Sequence, residues 1–122
     1  MKLNIGLFGS YYPSWLNNDE LPEGERIKID YKRITGAMSN DLVRFGMDHS
    51  MIFDNVAIVR KCVKKIYNLQ GMDGEEITTA EALLNAVGVS GLVTEIGSHI
   101  LTDSQMTEDL EKKNKEKPSL VS

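Results

Sequence analysis

The chain has 122 residues, 41% of them hydrophobic and 26% charged, which is enough apolar material for one packed core and too little length for two ordinary domains. Fourteen Lys and Arg against eighteen Asp and Glu leave a net charge of -4, so there is no overall positive field to attract phosphate backbones. Cys62 is the single cysteine, which excludes an intramolecular disulfide and a cysteine-based zinc site, and no stretch approaches the roughly 18 apolar residues that span a bilayer.

These features predict a soluble module in a reducing cytosol. Met1 to Gly9 carries one lysine and an apolar run broken by Asn4 and two glycines, and is not expected to be a secretory signal. Leu3, Ile5 and Leu7 alternate with polar or small residues and predict a strand or arm. The aromatic group Phe8, Tyr11, Tyr12 and Trp15 follows, and Asn17 to Gly24 is turn-rich. Ile27, Ile29 and Tyr31 alternate with Lys28, Asp30 and Lys32, the clearest strand pattern in the chain.

After Thr35-Gly36 the spacing becomes helical. Met38, Leu42 and Phe45 predict a short helix ending near Gly46. A second helix is predicted from a cap at Asp54 or Asn55 through Val56, Val59, Val63, Ile66 and Leu69, with Arg60, Lys61, Lys64 and Lys65 on its opposite face. Asp73-Gly74 marks a turn, and Thr78 with Glu81 has capping-box spacing for a helix that buries Leu83, Leu84 and Val87 and stops at Gly88. Ser90 opens another carrying Leu92, Val93, Ile96 and Ile100, and the charged stretch from Thr107 to Lys117 reads as a solvated last helix fraying at Pro118.

The expected fold is thus α+β, a small N-terminal strand element followed by a bundle of short helices. It divides into an aromatic arm or edge strand over 1–22, one core domain over 23–106 and a polar helix or tail over 107–122. The expected core is Ile29, Tyr31, Leu42, Val59, Val63, Ile66, Leu83, Leu84, Ile96 and Ile100.

Catalytic chemistry finds little to build on. His49 and His99 stand in no catalytic signature, and Cys62 falls on the apolar side of its helix. Asp48, His49 and Asp54 match no metal-ligand spacing, Asp73 to Glu76 lacks the remaining ligands of a calcium loop, and Gly6 with Gly9 makes no phosphate-binding pattern. No enzyme activity and no cofactor are expected. Ala82 to Ser90 resembles the turn of a DNA-binding helix-turn-helix, but Gly91 to Ile100 contains no Arg, Lys, Asn or Gln to meet bases or phosphates; a small DNA-binding regulator therefore stands as a lesser alternative. Function is expected through protein contact. Tyr12 and Trp15 are the candidate hot spots, and Arg60, Lys61, Lys64 and Lys65 form a basic helix face for an acidic partner or a second copy.

The strand Glu23 to Thr35, the following helices, Ile66-Tyr67-Asn68-Leu69 leading into Met72 to Ile77, and the late Glu111-Lys112-Lys113-Asn114 together resemble small phage morphogenesis proteins, in particular the tail assembly chaperones of long-tailed phages. The resemblance implies a non-enzymatic protein that escorts the tape measure protein, recruits tail-tube subunits and self-associates in the cytoplasm of the bacterial host. A virion structural subunit, such as a minor capsid, connector or tail component, is the alternative, with the virion as its location.

Overall fold

The computed structural model describes residues 5–48 and 51–121, with side chains for all but Met51 and 106–121. His49 lies outside these residues. The described chain forms strands β1 (Phe8–Tyr11), β2 (Lys28–Lys32), β3 (Val43–Phe45), β4 (Met51–Phe53) and β5 (Val63–Tyr67), and helices α1 (Asn55–Cys62), α2 (Ala80–Leu84) and α3 (Ser90–Val121). Among the described residues β1, β2 and β5 make an antiparallel sheet in the order β1-β2-β5, and β3 pairs with β4 in a separate ribbon.

This corrects the expected strand element followed by helices: strands and helices interleave in a small mixed α/β domain, and three of the five described strands come after Thr35. The first described strand is Phe8–Tyr11; of the strand expected over Leu3 to Leu7, Ile5 to Leu7 are not in a strand and Leu3 lies outside the described residues. Met38 to Gly46 is no α-helix; it is a 3-10 turn at Ser39–Leu42 that runs into β3. Leu42 alone is fully buried there, so one inward side chain satisfies the core and no helical stripe is required.

The second predicted helix stops early, at Cys62. Its start is as expected, because Asp54 Oδ1 accepts from the Val56 and Ala57 amides and satisfies donors that the first turn leaves free. At Val63 the backbone turns extended and the chain enters β5 with no intervening loop. Pairing with β2 runs Asp30 to Lys65 but Tyr31 to Val63, so Lys64 is an extra residue in a β-bulge. The bulge lets Val63 and Ile66, three apart, both face the core, a spacing that mimics a helical turn in sequence.

The hairpin beyond β5 closes as the Asp-Gly signal suggests. Gln70 bridges Glu76, Gly74 takes the left-handed conformation at φ 82°, and Asp73 Oδ1 accepts from the Glu75 amide. The cap of α2 is Thr79 rather than Thr78, since the Thr79 hydroxyl accepts from the Ala82 amide; Glu81 is turned outward to Arg60 instead of closing a capping box. Helix α2 ends at Leu84, short of Gly88, and α3 runs unbroken through the segment expected to be a separate last helix.

The core lies between the sheet and the helices. Ile29 and Tyr31 of β2 and Val63 and Ile66 of β5 meet Ile58, Val59 and Cys62 of α1 and Leu92, Ile96 and Ile100 of α3. All the expected core residues are buried except Leu84, which is partly exposed. Helices α1 and α3 approach closely because Gly97 has no side chain: a Cβ there would collide with the Asn55 side chain. No helix among the described residues is long and apolar enough to cross a membrane.

The N-terminal segment is fixed by one buried polar side chain. Asn18 is 2% exposed, donates through Nδ2 to the carbonyls of Pro13 (2.8 Å) and Ile27 (3.0 Å), and accepts at Oδ1 from the Ile27 amide (2.7 Å). It thus ties the loop before β2 to the chain leaving β1. Replacing it by Ala leaves buried backbone groups unpaired, so Asn18→Ala is expected to cost about 1 to 3 kcal/mol in urea unfolding, whereas the exposed neighbour Asp19→Ala should cost much less.

Candidate functional site

Two constellations stand out, one on each side of the β1-β2-β5 sheet. On the inner side, Tyr31, Arg33, His99 and Asp103 converge with Tyr11. The Tyr31 hydroxyl donates to Asp103 Oδ2 (2.5 Å), and Arg33 Nε donates to the same oxygen (2.7 Å). The Tyr31 proton being given to Asp103, its oxygen receives His99 Nε2 at 3.3 Å as a donor, which fixes that nitrogen as the protonated one. The His99 ring lies flat on Tyr11, centroids 3.6 Å apart and planes 6° from parallel, and edge-on to Tyr31.

This cluster fastens α3 to the sheet. Arg33 also reaches across β1 to donate through Nη1 to the carbonyls of Gly6 and Phe8, and Ser104 accepts from the Ile34 amide. The crossing needs a residue without a side chain. A Cβ on Gly9 would stand 2.8 Å from Tyr31 Cζ and Oη and 2.9 Å from Arg33 Nη2. Nearer the start of α3, Glu95 accepts from the Ser14 amide and hydroxyl.

Electrostatically the cluster favours neutral groups around one paired carboxylate. Burial, then the Glu95 carboxylate and the neighbouring Tyr31 phenol, push Tyr11 upward; burial and the hydrogen bond to Asp103 push Tyr31 upward. Burial lowers His99, against the pull of Asp103 and Glu95, and Arg33 adds to the lowering. One face of the imidazole is covered by Tyr11, and Nε2 is engaged with the Tyr31 hydroxyl. Among the described residues no group of three or more His, Cys, Asp or Glu is placed to hold a metal ion.

On the outer side the strands present Phe8 and Ser10 from β1, Lys28, Asp30 and Lys32 from β2, and Lys65 and Tyr67 from β5, with the bulge residue Lys64 exposed beside them. Asp30 is the single carboxylate of this group. Burial opposes its ionisation, but hydrogen bonds from Ser10 (2.6 Å) and Tyr67 (2.8 Å) and the charges of Lys28 and Lys65 hold it below the usual carboxylate range. Lys65 Nζ and Lys28 Nζ lie 4.7 and 5.3 Å from the centre of the Tyr67 ring. The alternation continues to Tyr12, over whose ring Arg26 sits at 5.8 Å. Phe8 is 64% exposed and borders, with Lys64 and Asp30, a shallow depression of about 340 Å³.

The structure therefore divides the six residues expected to bind a partner. Lys64 and Lys65 belong to the outer sheet face, with Tyr12 at its end, and not to a helix. Arg60 and Lys61 sit in the last turn of α1, where Arg60 is paired with Glu81 at 2.9 Å. The expected basic helix face is thus broken by the helix-to-strand change at Val63. Trp15 is partly buried and rests on α3 at Gly91, whose added Cβ would stand 3.2 Å from Trp15 Nε1. Sequence patterning does not single out Lys28, Lys32 and Tyr67 as site residues, although the alternation that identifies β2 already puts both lysines on its solvent side.

Two outcomes follow from the inner cluster. Gly9→Ala should destabilise by about 1 to 3 kcal/mol, because Tyr31 is 2% exposed and cannot yield. His99 binds its proton less readily folded than unfolded, so its contribution to stability is full above the unfolded value of about 6.5 and is lost as pH falls below it. Thermal unfolding followed from neutral to mildly acidic pH should show Tm falling more steeply in the parent than in His99→Gln.

No protein-family model, no curated protein and no solved structure matches this chain.

Proposed function

We propose that this chain is a non-catalytic assembly protein that works through protein contact, with the outer face of the β1-β2-β5 sheet as its contact surface. The observation that supports this best is the segregation of charge. Lys28, Lys32, Lys64 and Lys65, four of the fourteen cations, share this face with Asp30, one of the eighteen carboxylates. A face of that sign on an acidic chain steers an acidic partner toward one orientation, while Phe8 and Tyr12 supply ring area that loses little entropy on burial.

Phage morphogenesis is the setting suggested by the sequence phrases at Ile66 to Leu69, Met72 to Ile77 and Glu111 to Asn114. The strand-then-helices order no longer speaks for it, since the strands are interleaved. The inner cluster holds α3 to the sheet through Asp103 and His99 Nε2.

Affinity capture from phage-infected bacteria tests the proposal. The parent chain should recover a phage structural protein such as the tape measure or tail-tube protein. Recovery should fall at least tenfold for Lys28→Glu/Lys65→Glu, by loss of the face potential, and stay near the parent level for Lys61→Glu, which lies off the face. Equal recovery by all three chains would refute the sheet face as the contact surface, and absence of any phage protein would refute the setting.

A further inference from the structure

The outer sheet face has a counterpart on the same chain. The hairpin after β5 and helix α2 enclose an open groove of about 400 Å³, whose lining includes Met72, Asp73, Glu75, Glu76, Ala82 and Val87. Met72 is 92% and Val87 83% exposed, so no described residue covers these apolar side chains of the groove. Three carboxylates edge it, and its lining includes no Lys or Arg. Phe8 is the inverse feature: an exposed ring with Lys32 opposite it in the β1–β2 register and Lys64 beside the same depression.

Building on the protein-contact function proposed above, we infer that this groove takes Phe8 of a second copy, with Lys32 and Lys64 of that copy facing Asp73, Glu75 and Glu76, so that the chain associates head-to-tail. A second copy suits both surfaces at once. An exposed ring flanked by Lys32 and Lys64, with the Asp30 carboxylate already held by Ser10 and Tyr67, meets apolar side chains edged by carboxylates. Single-stranded nucleic acid could use Phe8 and the lysines by stacking and phosphate pairing, but it would be repelled by the carboxylates and leave the groove without an occupant. Edge-to-edge strand addition is disfavoured on both sides. Arg33 covers the outward carbonyls of Phe8 on β1 and of Gly6 just before it, and β5 is bulged, carries lysines and already bonds Thr78.

Because two different patches meet, the contact is heterologous. Each added copy leaves one knob and one groove free, so association continues until the rotation closes a ring or the array stays open; it does not stop at a two-fold dimer. The charges mainly set orientation and rate and are screened by salt, while the buried ring supplies affinity.

Sedimentation velocity over a wide concentration range tests this, beginning with three chains. The parent should form oligomers beyond a dimer that dissociate on dilution. Lys32→Glu/Lys64→Glu and Glu75→Lys/Glu76→Lys should each be monomeric, because like charges then face one another at every contact. Mixing the two should restore association, since the reversed knob of one fits the reversed groove of the other and the unchanged surfaces still match. Phe8→Ala should weaken association at least tenfold without changing its sign dependence on charge. A parent chain that stays monomeric, reversals that leave association intact, or a mixture that remains monomeric would each overturn the inference. A parallel titration with labelled oligothymidylate separates the nucleic-acid reading: salt-dependent binding lost in Lys32→Glu/Lys64→Glu, with a monomeric parent, would reassign the face to nucleic acid. Capture of a phage protein by a chain that never self-associates would overturn this contact and leave the proposed function standing.

Discussion

The placement of the sheet depends on one extra residue in β5. Strict alternation from Val63 would send Lys65 inward with Val63 and turn Ile66 out to solvent. Insertion of Lys64 as a bulge against the Asp30–Tyr31 step breaks that phase once, so that Val63 and Ile66 both reach the core and both lysines stay outside. The alternative would bury an ammonium among Ile29, Ile58 and Val59, at a cost that no partner in that region could offset. The bulge therefore sets core packing and the charge of the outer face together.

Once β5 is in phase, β2 has a neighbour on each side and its two faces acquire opposite roles. The inner residues Ile29 and Tyr31 are buried, and Tyr31 reaches past Gly9 to Asp103 on α3. Asp103 then serves two donors, Tyr31 and Arg33, with the ion pair only 20% and 16% exposed. Removing the carboxylate would strand a partly buried guanidinium and a phenol, a larger loss than the pair's net contribution. The Tyr11 hydroxyl is buried with no hydrogen-bond partner among the described residues, and its stacking on His99 is what the ring gains in exchange.

Local signals were legible wherever one element decides its own conformation. The alternation from Ile27 to Tyr31 marks β2, Asp54 caps α1, Asp73-Gly74 turns the hairpin, and the apolar spacing of Leu92, Val93, Ile96 and Ile100 marks α3. What could not be read depended on partners distant in sequence. Val59, Val63 and Ile66 fit a helical stripe equally well until β2 is present to pair with Val63 onward, and the bulge that produces this spacing has no composition of its own. The His99 cluster joins residues about 70 positions apart, so nothing near His99 announces it. For the same reason four lysines spread over β2 and β5 look like two separate solvated faces.

Charge separation of this kind governs how the surfaces are used. On a chain of net charge -4, concentrating four lysines on one sheet face leaves the remaining surface more acidic than the total indicates. The molecule then carries a dipole, and any approaching surface feels a torque as well as an attraction. Asp30 keeps the face from being uniformly repulsive to itself: it accepts from Ser10 and Tyr67 and lies 4.0 Å from Lys28, so that three strands are stitched together at the centre of the positive field. That stitching fixes where the lysines stand before any partner arrives, which lowers the ordering cost of a contact made there.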